Sequence, residues 1–231
     1  MNAERGPQII DHWLKSLGEE KRPHEGEVKK LLQAYGIDVP RGIFLPWDVP
    51  FSMTVVSERG ITPPYAVKVC SAEILHKTEH GGVILEVDSD SLASAVAGIK
   101  KQFTGSGVLV ETMVPFSSGE FIVGGMMDPV FGPAVMVGAG GILTELFKDV
   151  TFRLAPCSKE ETHRMLKELT VYPLLDGYRG SVIDPDRFAA IISSVGDLIA
   201  HLGAEFSQLD INPIVYSNGK WVALDAMIVL T

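Results

Sequence analysis

The C-terminal segment QLDINPIVYSNGKWVALDAMIVL contains the feature that most constrains the fold, an Asn-Gly pair between two runs rich in alternating apolar residues. A two-residue hairpin turn needs a positive φ at both central positions, and Asn218-Gly219 is a favoured pair there. With that turn, Ser217 faces Lys220, and every other facing pair is fixed by counting outwards. The segment therefore predicts an antiparallel hairpin with a single register.

That register sorts the side chains of the hairpin onto two faces, because successive residues of a strand point to opposite sides. Asn212 lies opposite Asp225, and Asp210 is two residues from Asn212 on the same face. Facing residues lie about 5 Å apart at Cβ, and diagonal ones about 7–8 Å apart. The other face of the hairpin is apolar and carries Leu209, Ile211, Ala226 and Ile228.

Two carboxylates and an amide oxygen this close together are hard oxygen ligands that suit Mg²⁺ carrying phosphates. Neighbouring carboxylates also repel each other unless a cation lies between them. The hairpin therefore predicts a metal site at Asp210, Asn212 and Asp225. The alternative is a solvated hairpin face with a turn-forming Asn-Pro pair.

A second feature is the polar segment AEILHKTEHGGV, which follows the apolar run PYAVKV. An imidazole, with a pKa of about 6.5, is mostly neutral at pH 7 and can attack phosphorus. Gly81 and Gly82 would let backbone amides approach phosphate oxygens, and Lys77 supplies a positive charge. For His76 and His80, the residues alone leave two interpretations open, a surface turn or a loop that handles phosphate.

Composition and charge exclude several classes of protein. A formal net charge of −9 argues against a general binder of nucleic acids or membrane surfaces. No signal-peptide pattern is present, and no apolar run reaches the roughly 20 residues that span a bilayer. The two cysteines are far apart, which favours a reducing cytoplasm. There is no P-loop motif, and VGAGG is only half of a dinucleotide-binding fingerprint.

The rest of the chain intersperses strands and helices without a clean βαβ repeat, which predicts an α+β fold. Lys68 is a lone cation on the predicted strand PYAVKV, just before the histidine-containing loop. Glu111 lies on a later predicted strand, GVLVETMV, and the metal-ligand candidates come last. An anionic ligand would have to be met by such local basic groups, by glycine-rich backbone or by a metal.

This order of features resembles the ATP-grasp fold. More closely, it resembles the β subunit of ADP-forming acetyl-CoA synthetases, the nucleoside-diphosphate-forming acyl-CoA synthetases. The specific parts are AVKVCSAEILHKTEHGGV, GVLVETMV, GAGGILTELFKDVTFRLAP and LDINPI…ALDA. The resemblance implies one ATP-grasp domain over residues 1–231, with lobes at about 20–110 and 111–231 and the nucleotide between them.

The resemblance also implies a reaction, in which acyl-CoA, phosphate and ADP are converted reversibly to free acid, CoA and ATP. It implies Mg²⁺, ATP or ADP as the nucleotide, and an α subunit that carries the CoA-binding and ligase domains, in an α₂β₂ assembly. His76 matches the histidine that carries the phosphoryl group to ADP, and Lys68 matches the lysine that holds the nucleotide phosphates.

Further site residues follow from the same match. Glu120 matches the ribose-binding carboxylate, and Glu145 and Arg153 are placed on the phosphate side of the site. The glycines of the loop supply backbone donors, and the hairpin residues fall on the magnesium motif. The hinge whose backbone reads adenine is matched by Glu111, Thr112, Met113 and Val114.

Two other functions remain open at this point. One is a different ATP-grasp enzyme, either a β subunit like that of succinyl-CoA synthetase or a carboxylate–amine ligase. Such a ligase forms its acyl phosphate directly and has no use for a loop histidine. The other is a regulatory subunit that senses ATP or ADP without transferring phosphate. The sequence does not identify the acid, the preferred purine or the physiological direction.

Overall fold

The computed structural model describes residues 5–19, 21–71, 77, 80–105, 107–141, 148–178 and 183–231. These residues form two units, each with its own sheet and hydrophobic core. The large unit comprises Met1–Arg22, Val28–Val39 and Pro115–Thr231, and the small unit comprises Pro23–Glu27 and Pro40–Val114.

The described residues form seven α-helices and ten β-strands. The helices are α1 (Arg5–Ser16), α2 (Glu25–Ala34), α3 (Met53–Glu58), α4 (Leu92–Gln102), α5 (Lys159–Glu168), α6 (Tyr172–Leu175) and α7 (Pro185–Leu202). The strands are β1 (Gly42–Pro46), β2 (Tyr65–Cys70), β3 (Val83–Val87), β4 (Gly107–Thr112), β5 (Glu120–Asp128), β6 (Gly132–Ala139), β7 (Val150–Leu154), β8 (Phe206–Ser217), β9 (Lys220–Ala223) and β10 (Met227–Leu230). The predicted α+β class is confirmed.

The small unit has a four-stranded antiparallel sheet in the order β1-β4-β2-β3. Helix α4 packs on β2 and β4, and its buried residues Leu92, Val96 and Ile99 fill the core of this unit. Burial of these aliphatic side chains is the main term that stabilises such a small sheet. The two central strands carry Lys68 and Glu111.

The large unit has a six-stranded antiparallel sheet in the order β10-β8-β5-β6-β7, with β9 paired to the end of β8. Helix α7 packs against β5, β6 and β8. Its N-terminal cap is Asp184, whose side chain accepts a hydrogen bond from the backbone of Arg187. The ring of Phe188 stacks on Trp221 with centroids 3.9 Å apart, and this contact fixes the helix over the β8–β9 hairpin.

Helix α7, continued by the 3₁₀ turn Gly203–Glu205, is long and apolar enough by length and composition to cross a membrane. However, Phe188, Ile192, Val195 and Leu198 are fully buried in the core of the large unit. A helix surrounded by a protein core is apolar for the same physical reason as one surrounded by lipid. The packing therefore accounts for its composition.

The division of the chain differs from the predicted lobes of 20–110 and 111–231. It falls after Val114, and Val28–Val39 belongs to the large unit. The reason is a set of contacts with the C-terminal hairpin, in which Ala223 N–H donates to the Asp38 carbonyl oxygen at 2.9 Å. The sequence pattern did not predict β7, α3 or α6, because four to six residues show too little periodicity.

Candidate functional site

The β8–β9 hairpin has the register that the Asn-Gly turn predicts. Asn218 and Gly219 have φ values of 48° and 78°, and Ser217 pairs with Lys220. The same register continues past β9, because Asn212 N–H donates to the carbonyl oxygen of Asp225 at 3.2 Å. It extends into β10, where Met227 pairs with Asp210. The predicted register is therefore confirmed from the turn to Val229, after which it shifts by one residue so that Leu230 pairs with Phe206.

The register puts Asp210, Asn212 and Asp225 on the polar face of the hairpin. The residues of the opposite, apolar face lie in the core. Leu209, Ile211, Ala226 and Ile228 are all buried. The three polar residues are half-buried, and the Oδ1 atom of Asp210 is enclosed by protein. This burial favours ligand binding over free hydration, because carboxylates taken from water need a cation or hydrogen-bond donors nearby.

The donor set suits Mg²⁺, which prefers carboxylate and carbonyl oxygens. Within the described residues, no group of three or more His, Cys, Asp or Glu side chains lies close enough to hold a metal. A metal here would therefore bind two carboxylates and the amide oxygen of Asn212. That oxygen accepts a hydrogen bond from Gly141 N–H at 3.2 Å and keeps a second lone pair for a cation.

A glycine turn connects this hairpin to Glu120. Gly140 N–H donates to the Glu120 carbonyl oxygen at 2.7 Å, and Gly141 adopts a φ of 59°. A Cβ atom on Gly141 would lie 1.8 Å from Oε2 of Glu120. The VGAGG segment, which looked like half of a dinucleotide fingerprint, therefore brings the Glu120 carboxylate beside the turn that binds Asn212. The contact of Glu120 with ribose remains a prediction.

Lys29 is a residue of this region that sequence reasoning did not identify. It lies on α2 and is only 3% exposed, and its Nζ donates to the carbonyl oxygen of Leu224 at 2.7 Å. Leu224 immediately precedes Asp225, so the Lys29 ammonium binds the backbone next to a proposed metal ligand. The sequence signal was a lysine within a helical apolar pattern, which is more often a solvent-exposed residue.

In the small unit, a buried charged cluster surrounds Lys68. Its Nζ lies 2.9 Å from Oε1 of Glu25 and 3.0 Å from Oε2 of Glu111. The other oxygen of Glu25 contacts the ammonium of Lys77. The side chains of these four residues are between 2% and 13% exposed. Lys68 is the single cation on β2, and it pairs with two carboxylates that are distant in sequence.

Glu25 was also not identified from the sequence. It begins α2, where a carboxylate interacts favourably with the N-terminal end of the helix dipole. That position alone indicates a helix start and gives no sign of an ion pair with Lys68 or Lys77. Only the tertiary structure shows that this carboxylate holds two lysines.

The predicted adenine-reading segment, residues 111–114, runs from the end of β4 to the last residue of the small unit. The N–H groups of Thr112 and Met113 donate to the carbonyl oxygens of Arg41 and Pro64, both at 2.9 Å. These two donors are therefore already used within the small unit. Adenine recognition by the carbonyl groups or by Val114 remains a prediction.

The histidine-containing loop is described only in part. His76 lies outside the described residues, while Lys77, His80 and the two glycines lie within them. Gly82 N–H donates to the Lys77 carbonyl oxygen at 2.6 Å, and Gly82 O accepts from Val69 N–H at 2.8 Å. A Cβ atom on Gly82 would lie 2.6 Å from Val69 Cγ1. The Gly82 N–H is therefore bound to Lys77, and its predicted donation to phosphate would need that hydrogen bond to open.

Arg153 lies on β7 and forms ion pairs with two glutamates of α5. Its Nε lies 2.7 Å from Glu161, and its Nη2 contacts Glu168. The hydrogen bonds to Glu168 and then Glu161 raise the pKa of the guanidinium. This arrangement favours a role in holding α5 to the sheet, and its predicted contact with phosphate stays a prediction. Glu145 lies outside the described residues.

An open cavity of about 570 Å³ lies in the large unit, between residues 115–117 and the turn of the β8–β9 hairpin. It is lined by Pro115, Phe116, Ser117, Tyr216, Ser217, Asn218 and Gly219. None of the predicted site residues lines this cavity. The hairpin turn therefore forms one of its walls, while the candidate metal ligands lie further along the strands.

The chain is similar in sequence to proteins of a known family. Residues 17–230 match the family model of the ATP-grasp domain. The chain is 36% identical to the β subunit of the ADP-forming acetate–CoA ligase I of Pyrococcus furiosus, covering 91% of this chain and 93% of that subunit. The chain belongs to the ATP-grasp family, with the β subunits of ADP-forming acetate–CoA ligases.

Two further relatives of this ATP-grasp chain extend the comparison. The ADP-forming acetate–CoA ligase I of Archaeoglobus fulgidus is 35% identical over the whole chain, which spans only 34% of that longer protein. The acetyl-coenzyme A synthetase 1 of Ca. Korarchaeum cryptofilum has a TM-score of 0.84 at 30% identity, over 96% of this chain and 99% of that one. One structure of that synthetase contains coenzyme A and Mg-AMPPCP, with its phosphohistidine segment pointing towards the nucleotide-binding site.

Proposed function

We propose that this chain is the nucleotide-binding subunit of an ADP-forming acyl-CoA synthetase. In this role it passes a phosphoryl group between a histidine and ADP while acyl-CoA, ADP and phosphate become free acid, CoA and ATP. The observation that carries the proposal is the hairpin register, which puts Asp210, Asn212 and Asp225 on one face of the hairpin in a chain of this family. The named activities of its relatives support the same reaction.

The residues of the large unit would hold the metal. Asp210, Asn212 and Asp225 supply the oxygen ligands, and bound Mg²⁺ would neutralise charge on the nucleotide phosphates. The Glu120 carboxylate, beside the glycine turn, would accept hydrogen bonds from the ribose hydroxyls. Positioning and charge neutralisation account for most of the catalysis in phosphoryl transfer, so these side chains need do little covalent chemistry.

The residues of the small unit would bind the phosphates. The Lys68 ammonium would contact nucleotide phosphate oxygens, which would compete there with its present partners Glu25 and Glu111. In the direction of ATP formation, the terminal oxygen of ADP attacks phosphorus, and the bond between phosphorus and the histidine nitrogen breaks. The electron pair of that bond stays on the imidazole. We assign this carrier role to His76, from its position in the sequence.

The acyl and CoA chemistry requires a partner. The relative from Archaeoglobus combines the corresponding region with about twice as much additional polypeptide. We propose that an α subunit with the CoA-binding and ligase domains supplies that part here, in an α₂β₂ assembly in the cytoplasm. Selectivity for the acid would then belong to the partner.

A phosphoenzyme assay tests this function. The chain is incubated with Mg²⁺ and γ-labelled ATP, with and without the partner, as wild type, His76→Ala and His80→Ala. His80 is an exposed histidine four residues away and serves as the matched control. We expect an acid-labile, base-stable label that only His76→Ala abolishes.

Other outcomes of this assay point to other functions. Full activity in His76→Ala would favour a ligase that forms its acyl phosphate directly. Binding of Mg-nucleotide without any phosphoenzyme, under all partner conditions, would favour a regulatory subunit.

A further inference from the structure

The four-stranded sheet of the small unit has one face under α4 and another opposite it. The side chains of β2 and β4 that pack in the core under α4 are Tyr65, Val67, Val69, Val108 and Val110. Successive residues of a strand alternate between faces, so Ala66 and Lys68 lie on the opposite side. Their partners on β4, Glu111 and Leu109, lie there as well, because paired residues share a face. We call this side of the sheet the lysine face.

Strand β3, at the edge of this sheet, contains a β-bulge. The register between β2 and β3 shifts by one residue, so Leu85 and Glu86 together oppose the single residue Ala66. Glu86 has a φ of 57°, in the left-handed region where a residue with a Cβ atom is strained. Backbone strain persists only where the surrounding structure holds it, and it is concentrated at functional sites. The bulge therefore indicates a task beyond pairing two strands.

The bulge joins β3 to the predicted adenine-reading segment. The Glu86 N–H donates to the thioether sulfur of Met113 at 2.9 Å. Met113 continues the pairing of β4 with β2, since its own N–H donates to Pro64, and it lies two residues after Glu111, on the lysine face. Strand β2 separates β4 from β3, so the Met113 side chain crosses β2 to reach its donor. Opposite the bulge, β2 carries Ala66, whose short side chain leaves room for this crossing.

Leu85 extends the apolar surface that Met113 begins. It is 57% exposed, and it lies on the lysine face because the preceding Ile84 packs towards the core under α4. We call Leu85 and Met113 the apolar wall. Lys68 lies two residues, or about 7 Å, from Ala66 along β2. The lysine face therefore has apolar side chains at one end and a cation at the other.

This combination suits a nucleotide, which has a flat base at one end and phosphates at the other. A thioether packs favourably on an aromatic ring, and an alkyl group gains from being covered by it. The N–H groups of Thr112 and Met113 are bound to carbonyl oxygens of the small unit, so they are not available to the edge of a base. Contact with the face of the ring is therefore the part of base binding that these side chains can supply.

We propose that the strained backbone of Glu86 is a positioning element of the nucleotide site. Its N–H holds Met113 across β2, and the apolar wall then packs against one face of the purine ring while Lys68 contacts the phosphates. This inference rests on the proposed function, which supplies the nucleotide. It adds two side-chain contacts, from Leu85 and Met113, to a base site that the family resemblance assigned to the backbone.

The test compares Mg-ADP with Mg-pyrophosphate, which has the phosphates but no base. Isothermal titration of the full chain measures both affinities in the wild type and in three variants. Met113→Ala removes one half of the apolar wall. Glu86→Val and Glu86→Gly both remove the carboxylate, but a β-branched residue resists the positive φ, whereas glycine adopts it without strain. A chain labelled with ¹³C at the methionine methyl groups adds a direct measure, because the Met113 signal is identified by its absence from Met113→Ala.

We expect Met113→Ala and Glu86→Val to bind Mg-ADP about tenfold more weakly, as the loss of a sulfur–aromatic contact allows. Glu86→Gly should rescue the affinity for Mg-ADP, since it keeps the bulge. All variants should bind Mg-pyrophosphate alike. The Met113 methyl signal should move upfield when Mg-ADP is added, as a methyl group over a ring face does, and should stay in place with Mg-pyrophosphate.

Unchanged Mg-ADP affinity in Met113→Ala, or a Met113 signal that Mg-ADP leaves in place, would overturn the apolar wall. Equal losses in Glu86→Val and Glu86→Gly would assign the effect to the carboxylate and would overturn the role of the bulge. So would a loss of affinity for both ligands in Glu86→Val, which would mean that the bulge serves folding alone. A wild type that binds neither ligand would instead count against the proposed function.

Discussion

In the small unit, the carboxylates of Glu25 and Glu111 lie against lysine ammonium groups, within a cluster that is almost fully buried. In the large unit, the hairpin register puts Asp210 and Asp225 on the same polar face as the amide of Asn212. The first arrangement pairs opposite charges, so its carboxylates position cations. The second brings like charges together, so its carboxylates are suited to hold a cation.

This difference shows how two acidic pairs in one chain can have different tasks. A phosphate that binds to Lys68 must compete with Glu25 and Glu111 for the same ammonium group. A divalent cation at the hairpin instead relieves the repulsion between two carboxylates. Substitutions that remove one negative charge should therefore have opposite consequences for ligand binding at the two sites.

The largest expected effect is on the hairpin. Asp225→Asn keeps the shape of the side chain but removes one of the two charged ligands. We expect Mn²⁺ affinity and the rate of phosphoryl transfer both to fall at least about a hundredfold, in the range seen when one charge-stabilising group is removed. Electron paramagnetic resonance of added Mn²⁺ and a coupled assay of ATP formation measure the two quantities.

Asp11→Asn is the control, because Asp11 is an exposed aspartate on α1 of the same unit. It makes the same change in net charge and should leave both quantities as they are. Wild-type Mn²⁺ affinity in Asp225→Asn would remove this residue from the metal site.

In the cluster, the corresponding change is Glu25→Gln, whose main effect should be on stability. The variant leaves Lys68 and Lys77 buried without one of their counter-charges, and breaking a buried ion pair costs about 3 kcal/mol. Urea unfolding should show this loss. Glu27→Gln should change the free energy of unfolding by less than about 0.5 kcal/mol, because Glu27 is more exposed and a glutamine can still accept from His24 N–H.

Pyrophosphate sharpens this comparison. The anion should raise the melting temperature of Glu25→Gln more than that of the wild type, since it no longer competes with a carboxylate for Lys68 and Lys77. An equal increase in both proteins would mean that Glu25 does not occupy the position of a phosphate group.

The two sites also differ in how far the sequence predicts them. Asn212 and Asp225 are close in the chain, and a single turn fixes their pairing, so counting from Asn218-Gly219 was sufficient. The cluster joins residues 25, 68, 77 and 111, and nothing local indicates that Glu25 contacts Lys68. Lys29 was missed for the same reason. The resemblance to a family predicted the fold and the residue roles, but it gave no information about these contacts.

The dependence of the hairpin on its turn can be tested directly. Gly219 has a φ of 78°, and a Cβ atom there would meet no atom within 4 Å, so a substitution tests backbone strain alone. Gly219→Val should lower the free energy of unfolding by about 2 kcal/mol, because a β-branched residue is strained at positive φ. Lys220→Val places the same side chain on the adjacent strand residue and should cost far less. Similar losses in the two variants would mean that the positive φ of Gly219 contributes little to the stability of the hairpin.

The smallest effect is expected outside both sites, at the pair formed by Arg153 and Glu161. The hydrogen bond from Arg153 lowers the pKa of Glu161 below its usual value, so the ionised carboxylate is favoured in the folded state. A carboxylate whose pKa is lowered in the folded state contributes stability at pH values above its pKa in the unfolded state, which is about 4.3. That contribution is lost as the pH falls through the lowered folded value. Glu161→Gln should therefore melt at a slightly lower temperature than the wild type at pH 7.

The difference in melting temperature should shrink to zero as the pH falls below about 4, and it should also shrink in 1 M salt, which screens a pair that is partly exposed to water. Calorimetric scans of both proteins between pH 3 and pH 7 measure it. A difference that stays constant over that range would show that Glu161 acts through packing against β7 and not through its charge. Since Arg153 was predicted to contact phosphate, the same scans with added phosphate are informative. Stabilisation of Glu161→Gln beyond that of the wild type would show that the guanidinium binds phosphate once a competing carboxylate is removed.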